Sequence, residues 1–381
     1  MARIAIFCDG TWNSPSQAQP THVHRLFEAV VPDANQRPVY VPGVGTGSTG
    51  WRGWLGKWAN KLGGGVFGWG LDDTIKQAYR ALALLYQPGD SILIFGFSRG
   101  AYTARSLAGM IRKVGIIDNP TRARVDTAFD VYRLPGPENH PDALHVLYKR
   151  RAMSPRFATS RAELDWRVTL GEVDSAHLVR IDYLGIWDTV GALGIPSSLI
   201  GPIAALWNRK YQFHDTRLSG MVRAARHAVA LDERRIFFRP SLWDNLEQHR
   251  DGPGLNAGDR SPDRPYQQVW FIGTHAIVGG SSDDRALTGI TLDWMAAGAQ
   301  ARGLRLREAP PLLDVAQDAI ADSVDLMDVP LTYRIFGSLL DWRKGPGHEI
   351  DLHGSVDARV AAHTSYRPLS LKSLRPKLFE R

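Results

Sequence analysis

Residues 89–111 read GDSILIFGFSRGAYTARSLAGMI. The apolar run Ser91–Phe97 ends in Gly96-Phe97-Ser98-Arg99-Gly100, and a helical pattern of small and apolar residues follows. A serine on a sharp strand-to-helix turn is a nucleophile elbow, whose G-x-S-x-G spacing has a steric cause. Side chains at Gly96 and Gly100 would collide with neighbouring backbone. The turn would lift the Ser98 hydroxyl above the sheet and offer the Arg99 amide to an oxyanion. The plainer alternative is a serine that caps the next helix. The strand before it and the helix after it favour the elbow.

A serine hydroxyl is a weak nucleophile and needs a base, itself oriented by a carboxylate. In this architecture the order along the chain is serine, then Asp or Glu, then His, each after a strand. Asp188 directly follows the apolar run at 181–187, and Asp232 closes HAVALD in an Asp-Glu-Arg-Arg cluster that reads equally well as a salt-bridged helix start. Asp188 is preferred. His275 stands at the end of QQVWFIGTH, late in the chain, whereas His227 precedes Asp232 inside an apolar stretch and reads as a packed histidine. His275 is therefore preferred as the base, with Asp9, Asp232 and His227 as supporting candidates. Gly10 and Thr11, at the end of the first strand, are candidates for further oxyanion donors. Asp9 has a plainer alternative, an Asx-type turn onto its own backbone.

Four apolar runs, Arg3–Cys8, Ser91–Phe97, 181–187 and 268–272, read as strands buried on both faces, and residues 39–40 add another. A helix is expected over 71–86, with Ile75, Ala78, Tyr79, Leu82 and Leu85 on one face and Pro88-Gly89 as its stop. Strand and helix in alternation imply a mostly parallel α/β sheet. Insertions are expected at about 43–70, 117–170, 189–224 and 244–265, within one domain over 1–344, followed by a peripheral tail at 345–381.

The chain has 381 residues, of which 44% are hydrophobic, ample for a packed core. Its formal charge of +7 is spread without a Lys/Arg run, so no nucleic-acid module is expected. Cys8 is the single cysteine, which excludes an intramolecular disulfide and cysteine-rich zinc sites. Asp9 interrupts the first apolar stretch, so no signal peptide is expected and the chain reads as cytoplasmic when made. Residues 189–208 are nearly long enough to span a bilayer but contain Gly191, Gly194, Pro196 and Gly201-Pro202, so they read as an apolar insertion. Residues 43–70 hold no P-loop pattern. Their glycines are interleaved with Trp51, Trp54, Trp58, Phe67 and Trp69, which reads equally as a long loop folded on its own aromatics or as an aromatic rim or lid suited to acyl chains and a membrane surface. No metal or cofactor is expected.

Taken together, IAIFCDGTWN at 4–13, VPGVGTG at 41–47, GLDDTIKQAYRAL at 70–82, the stretch at 89–111, LGIWDTVGALG at 184–194, HAVALDERR at 227–235, FRPSLW at 238–243 and VWFIGTH at 269–275 carry a family likeness. The chain resembles the α/β-hydrolase catalytic domain of the Tle-type phospholipase effectors of type VI secretion, with their bacterial and fungal relatives. The resemblance implies an α/β-hydrolase fold and a Ser-Asp-His hydrolase of phospholipid acyl esters, with Ser98, Asp188 and His275 at the matching positions. It further implies a lipid or small-ester substrate, export by a contact-dependent secretion apparatus, and an immunity protein as partner. One departure stands out: the family motif His-x-Asp-Val-Gly-Gly runs here as His275-Ala276-Ile277-Val278-Gly279-Gly280, which keeps open two alternatives, an esterase of the same fold acting on other esters and a binding protein that keeps the fold without the catalysis.

Overall fold

The computed structural model describes residues 1–10, 19–43, 70–172, 176–191, 216–249, 252–282, 285–307 and 339–380. Six strands form one sheet: β1 (Arg3–Cys8), β2 (Gln36–Val41), β3 (Ser91–Phe97), β4 (Tyr183–Trp187), β5 (Ala225–Ala230) and β6 (Tyr266–Phe271). Their spatial order is β2-β1-β3-β4-β5-β6 and every neighbouring pair is parallel. All strand carboxyl ends therefore share one edge, and ligands of open parallel sheets gather at that edge.

Continuous apolar runs form these strands because helices cover both faces. Ile4, Ile6, Ile92 and Ile94 point to one side, toward α2 (Leu71–Leu85) and α3 (Arg99–Val114). Their alternates Ala5, Phe7, Leu93 and Phe95 point to the other, toward α1 (His22–Ala29) and a later helix at Arg285–Gln300. The expected excursion after α3 contains three α-helices, α4 (Arg122–Arg133), α5 (Leu144–Met153) and α6 (Arg161–Thr169). There Glu163, fully buried, bonds Arg150 at 2.8 Å and Arg167 at 2.7 Å, tying α5 to α6.

Strand β5 was the least legible from sequence, because ARHAVA carries Arg226 and His227 through the sheet. Arg226 stacks its guanidinium over Trp294, 4.8 Å from the ring centre, and His227 is satisfied by hydrogen bonds on both ring nitrogens. The C-terminal stretch also lies closer to the sheet than its composition suggests. The His353 amide donates to the Trp270 carbonyl of β6, Val356 and Leu371 are fully buried, and Tyr366 reaches Asp232. Its apolar residues are spaced too irregularly among Gly, Pro and His to show a period. Among the described residues, no helix is long and apolar enough to cross a membrane. The aromatic segment with Trp51, Trp54, Trp58, Phe67 and Trp69, Thr11, and most of 189–208 lie outside the described residues.

Candidate active site

At the carboxyl end of β3 the chain turns so sharply that Ser98 takes φ 56° and ψ −120°, a backbone conformation that a side-chain-bearing residue holds only under constraint. The constraint is visible at both flanking glycines. A Cβ on Gly96 would lie 2.4 Å from the Gly100 carbonyl oxygen, and one on Gly100 would lie 2.1 Å from the Cys8 carbonyl oxygen at the end of β1. The Ser98 amide donates to the Trp187 carbonyl of β4 at 3.0 Å, which pins the turn to the next strand. Ser98 makes no side-chain cap on α3. Its hydroxyl instead lies 2.9 Å from Nε2 of His275.

His275 opens α7 (His275–Gly279), one loop after β6. Its Nδ1 lies 2.6 Å from Oδ2 of Asp188, the residue that follows β4. An ionised carboxylate only accepts, so Nδ1 carries the proton and Nε2 presents its lone pair to the Ser98 hydroxyl. The imidazole sits between the rings of Phe97 and Phe238, with centroids 4.6 and 4.8 Å away. Burial lowers the His275 pKa from its usual value, with the Asp188 bond pulling the other way. The ring is thereby kept unprotonated at neutral pH, with Nε2 free to accept a proton.

Burial alone would raise the pKa of Asp188, yet it is held well below the usual carboxylate range by Arg343 and His275. Arg343 donates from Nη1 to Oδ1 at 2.6 Å and from Nη2 to Oδ2 at 2.8 Å, and the Ala230 amide adds a third bond to Oδ1 at 2.9 Å. Neither Arg343 nor Glu233 was singled out from sequence. Glu233 is fully buried, accepts from the His275 amide at 3.2 Å and pairs with Arg235. An Arg in Asp-Trp-Arg-Lys and a Glu in Asp-Glu-Arg-Arg both read as ordinary surface charge; only tertiary structure buries them.

The other candidates fall around this chain of bonds. Asp232 accepts from the Gly273 amide at 2.7 Å and from the Tyr366 hydroxyl at 2.9 Å, so it braces the loop before His275 and makes no bond to the ring. Its carboxyl is pushed up to about 6 by burial. His227 accepts the Thr189 amide proton on Nε2 at 3.2 Å and faces Gln268 Oε1 from Nδ1 at 3.1 Å. Fully buried and pushed down to about 3 by desolvation, it packs beneath Asp188 as a neutral ring.

Asp9 accepts from Tyr40 at 2.6 Å, from Thr21 at 2.8 Å and from the Gly10 amide at 2.6 Å. Burial raises its pKa against the lowering effect of those three bonds. The Gly10 amide, expected as an oxyanion donor, is thus engaged by the neighbouring carboxylate, which makes Asp9 a brace for the end of β1. Ile277 packs into the core, where a Cβ on Gly273 would meet its Cγ2 at 2.5 Å. A cavity of about 820 Å³ runs along α3 past Tyr102, Arg105 and Arg112 toward Trp243, and neither Ser98 nor His275 is among its described lining residues.

Fold and site together define an α/β protein with a strained serine, a buried histidine and a buried aspartate hydrogen-bonded in series at the carboxyl edge of a parallel sheet. Residues 2–298 match the family described as the type VI secretion phospholipase effector, Tle1-like, catalytic domain, and the chain belongs to that family. It is similar to the uncharacterized protein YEL023C of Saccharomyces cerevisiae, 32% identical over 174 residues that cover 46% of this chain and 22% of that protein. Among solved structures it is similar to an uncharacterized protein from Pseudomonas aeruginosa, 17% identical over 82% of this chain and 48% of the other, with TM-score 0.41. It is also similar to a Tle1 effector bound to the VgrG spike of the type 6 secretion system, 16% identical over 74% of this chain and 51% of the other, with TM-score 0.36. The chain thus spans about a fifth of the curated relative and about half of each solved structure.

Proposed function

We propose that the chain is a serine esterase of α/β-hydrolase type that cleaves acyl esters of phospholipids. What supports this reading is the unbroken series Ser98 Oγ, His275, Asp188, with separations of 2.9 and 2.6 Å, on a strained strand-to-helix turn. Family membership supports the lipid substrate.

In this reading His275 Nε2 takes the hydroxyl proton as Ser98 Oγ bonds to the ester carbonyl carbon. The carbonyl electron pair moves to oxygen, where the Arg99 amide at the start of α3 is the candidate donor. As the carbonyl re-forms, the carbon–oxygen bond to the leaving alcohol breaks, and the imidazolium returns its proton to that alcohol. Water, deprotonated by the same nitrogen, then attacks the acyl-serine, and the released acid leaves Ser98 protonated. Asp188 holds the ring in the required tautomer and offsets the transient positive charge. By analogy with the VgrG-bound relative, a secretion spike is the proposed carrier for export.

The test is fatty-acid release from vesicles of phosphatidylethanolamine and phosphatidylglycerol, beside a soluble short-chain ester. Release by wild type and its loss in Ser98→Ala are expected. Equal release by Ser98→Ala would overturn the serine mechanism, and turnover of the soluble ester without fatty-acid release would overturn the phospholipid assignment.

A further inference from the structure

The residue in contact with Asp188 that comes from farthest along the chain is Arg343, 155 positions away and beyond the family-matched residues 2–298. We propose that Arg343 is a positioning residue of this site: its guanidinium clamps both oxygens of Asp188 and, by offsetting that charge, sets the basicity of His275. The proposal rests on the reading of Ser98, His275 and Asp188 as the reacting series.

The geometry is a two-pronged fork, Nη1 on Oδ1 and Nη2 on Oδ2, the arrangement in which a planar guanidinium fixes a carboxylate in both position and rotation. The same two nitrogens also donate to the Ala230 and Phe238 carbonyls, so the guanidinium is held by backbone on its far side. The segment that delivers it is fastened as well. Leu340 bridges Arg235, the Asp341 amide donates to the Arg234 carbonyl at 2.7 Å, and Asp341 pairs with Arg239 at 2.9 Å.

With Arg343 in place each Asp188 oxygen accepts two bonds: Ala230 and Arg343 on Oδ1, His275 and Arg343 on Oδ2. That leaves the carboxylate no freedom to rotate away from the imidazole.

The charges that face His275 come in balanced pairs. Asp188 is matched by Arg343, and Glu233, bonded to the His275 amide, is matched by Arg235. Among the described residues the ring also meets the Ser98 hydroxyl and the rings of Phe97 and Phe238. His227 is bonded to the Thr189 amide, next to Asp188 in the chain, and remains neutral. A lone carboxylate would favour imidazolium more strongly than a carboxylate shared with a guanidinium. Arg343 therefore keeps His275 unprotonated, and ready to act as base, to lower pH.

The experiment uses the full chain with Arg343→Gln and Arg343→Lys, and two readouts. The first is a ¹³C-histidine NMR titration of His275 in a Ser98→Ala background, which needs no reaction and so stands or falls separately from the esterase reading. The second is the pH dependence of Ser98 modification by a fluorophosphonate. Arg343→Gln is expected to raise the His275 pKa by about one unit. Arg343→Lys, which keeps the charge but not the fork, is expected to leave that pKa in place while lowering the plateau modification rate about tenfold. A His275 pKa unmoved in folded Arg343→Gln would overturn the proposal. So would a wild-type plateau rate in Arg343→Lys, which decides the matter if the glutamine variant does not fold.

Discussion

Gly100→Ala should damage this protein out of proportion to the single methyl group it adds. Gly100 is the second residue of α3, and its Cβ would lie 2.1 Å from the Cys8 carbonyl oxygen and 2.5 Å from that of Asp9. Both are backbone atoms, at the last residue of β1 and the one after it; Cys8 is paired with β2 and β3 on either side, so they cannot swing aside as a side chain would. Restoring ordinary contact requires α3 to retreat by about 1.3 Å from β1. Overpacking of this kind costs ~1–3 kcal/mol of stability. The same retreat carries Ser98 away from His275, and a displacement of about 1 Å costs roughly a hundredfold in rate. Gly109→Ala in the same helix is the control, because its Cβ meets only the Tyr132 side chain, at 3.3 Å. The half-buried Tyr132 ring needs to yield by only a few tenths of an ångström, and Gly109→Ala should therefore change stability by no more than about 1 kcal/mol. Urea unfolding and the rate of fluorophosphonate labelling read both effects. A Gly100→Ala protein with wild-type midpoint and wild-type labelling would refute the close approach of α3 to β1.

Three other expectations follow from the buried charges. Because burial lowers the His275 pKa, labelling of Ser98 should decline with acid only below about pH 6.5, the usual histidine value, and a limb above it would contradict the desolvated ring. His227 is held neutral with a pKa of about 3, so the unfolded chain takes up its proton first as pH falls. Stability present above about pH 6.5 is then lost toward pH 3 at about 1.4 kcal/mol per unit; His227→Gln should make the drop from pH 6.5 to 5 about 2 kcal/mol smaller by urea unfolding. Glu163→Gln leaves Arg150 and Arg167 buried against a neutral amide and should cost about 3–5 kcal/mol in urea unfolding, with labelling of the folded fraction unchanged because α5 and α6 lie away from Ser98.

Much of the fold was legible because a parallel sheet covered on both faces writes its strands as unbroken apolar runs. Arg3–Cys8 and Ser91–Phe97 coincide with β1 and β3, and the helix expected over 71–86 ends one residue earlier. The strand expected over 268–272 begins two residues earlier and ends one residue earlier, since Tyr266 and Gln267 also pair with β5 and only their polar atoms hid them. Within the site, strand-end logic singled out Ser98, Asp188 and His275, which the structure brings into hydrogen-bond contact. What sequence could not convey was the set of polar braces. Asp232 serves the Gly273 loop, Glu233 holds the His275 backbone, and Arg343 arrives on Asp188 from 155 positions along the chain. Each depends on long-range burial of a charge, and the local pattern around a charged residue is the same whether it faces solvent or core.

The most direct test of the central claim is fluorophosphonate labelling of the purified chain, read by intact mass and peptide mapping, with Ser98→Ala and His275→Ala beside it. A single adduct on Ser98 is expected in wild type, none in Ser98→Ala, and labelling slowed at least a hundredfold in His275→Ala. A well-folded wild-type protein that takes up no label, or one that labels equally in all three forms, would contradict it.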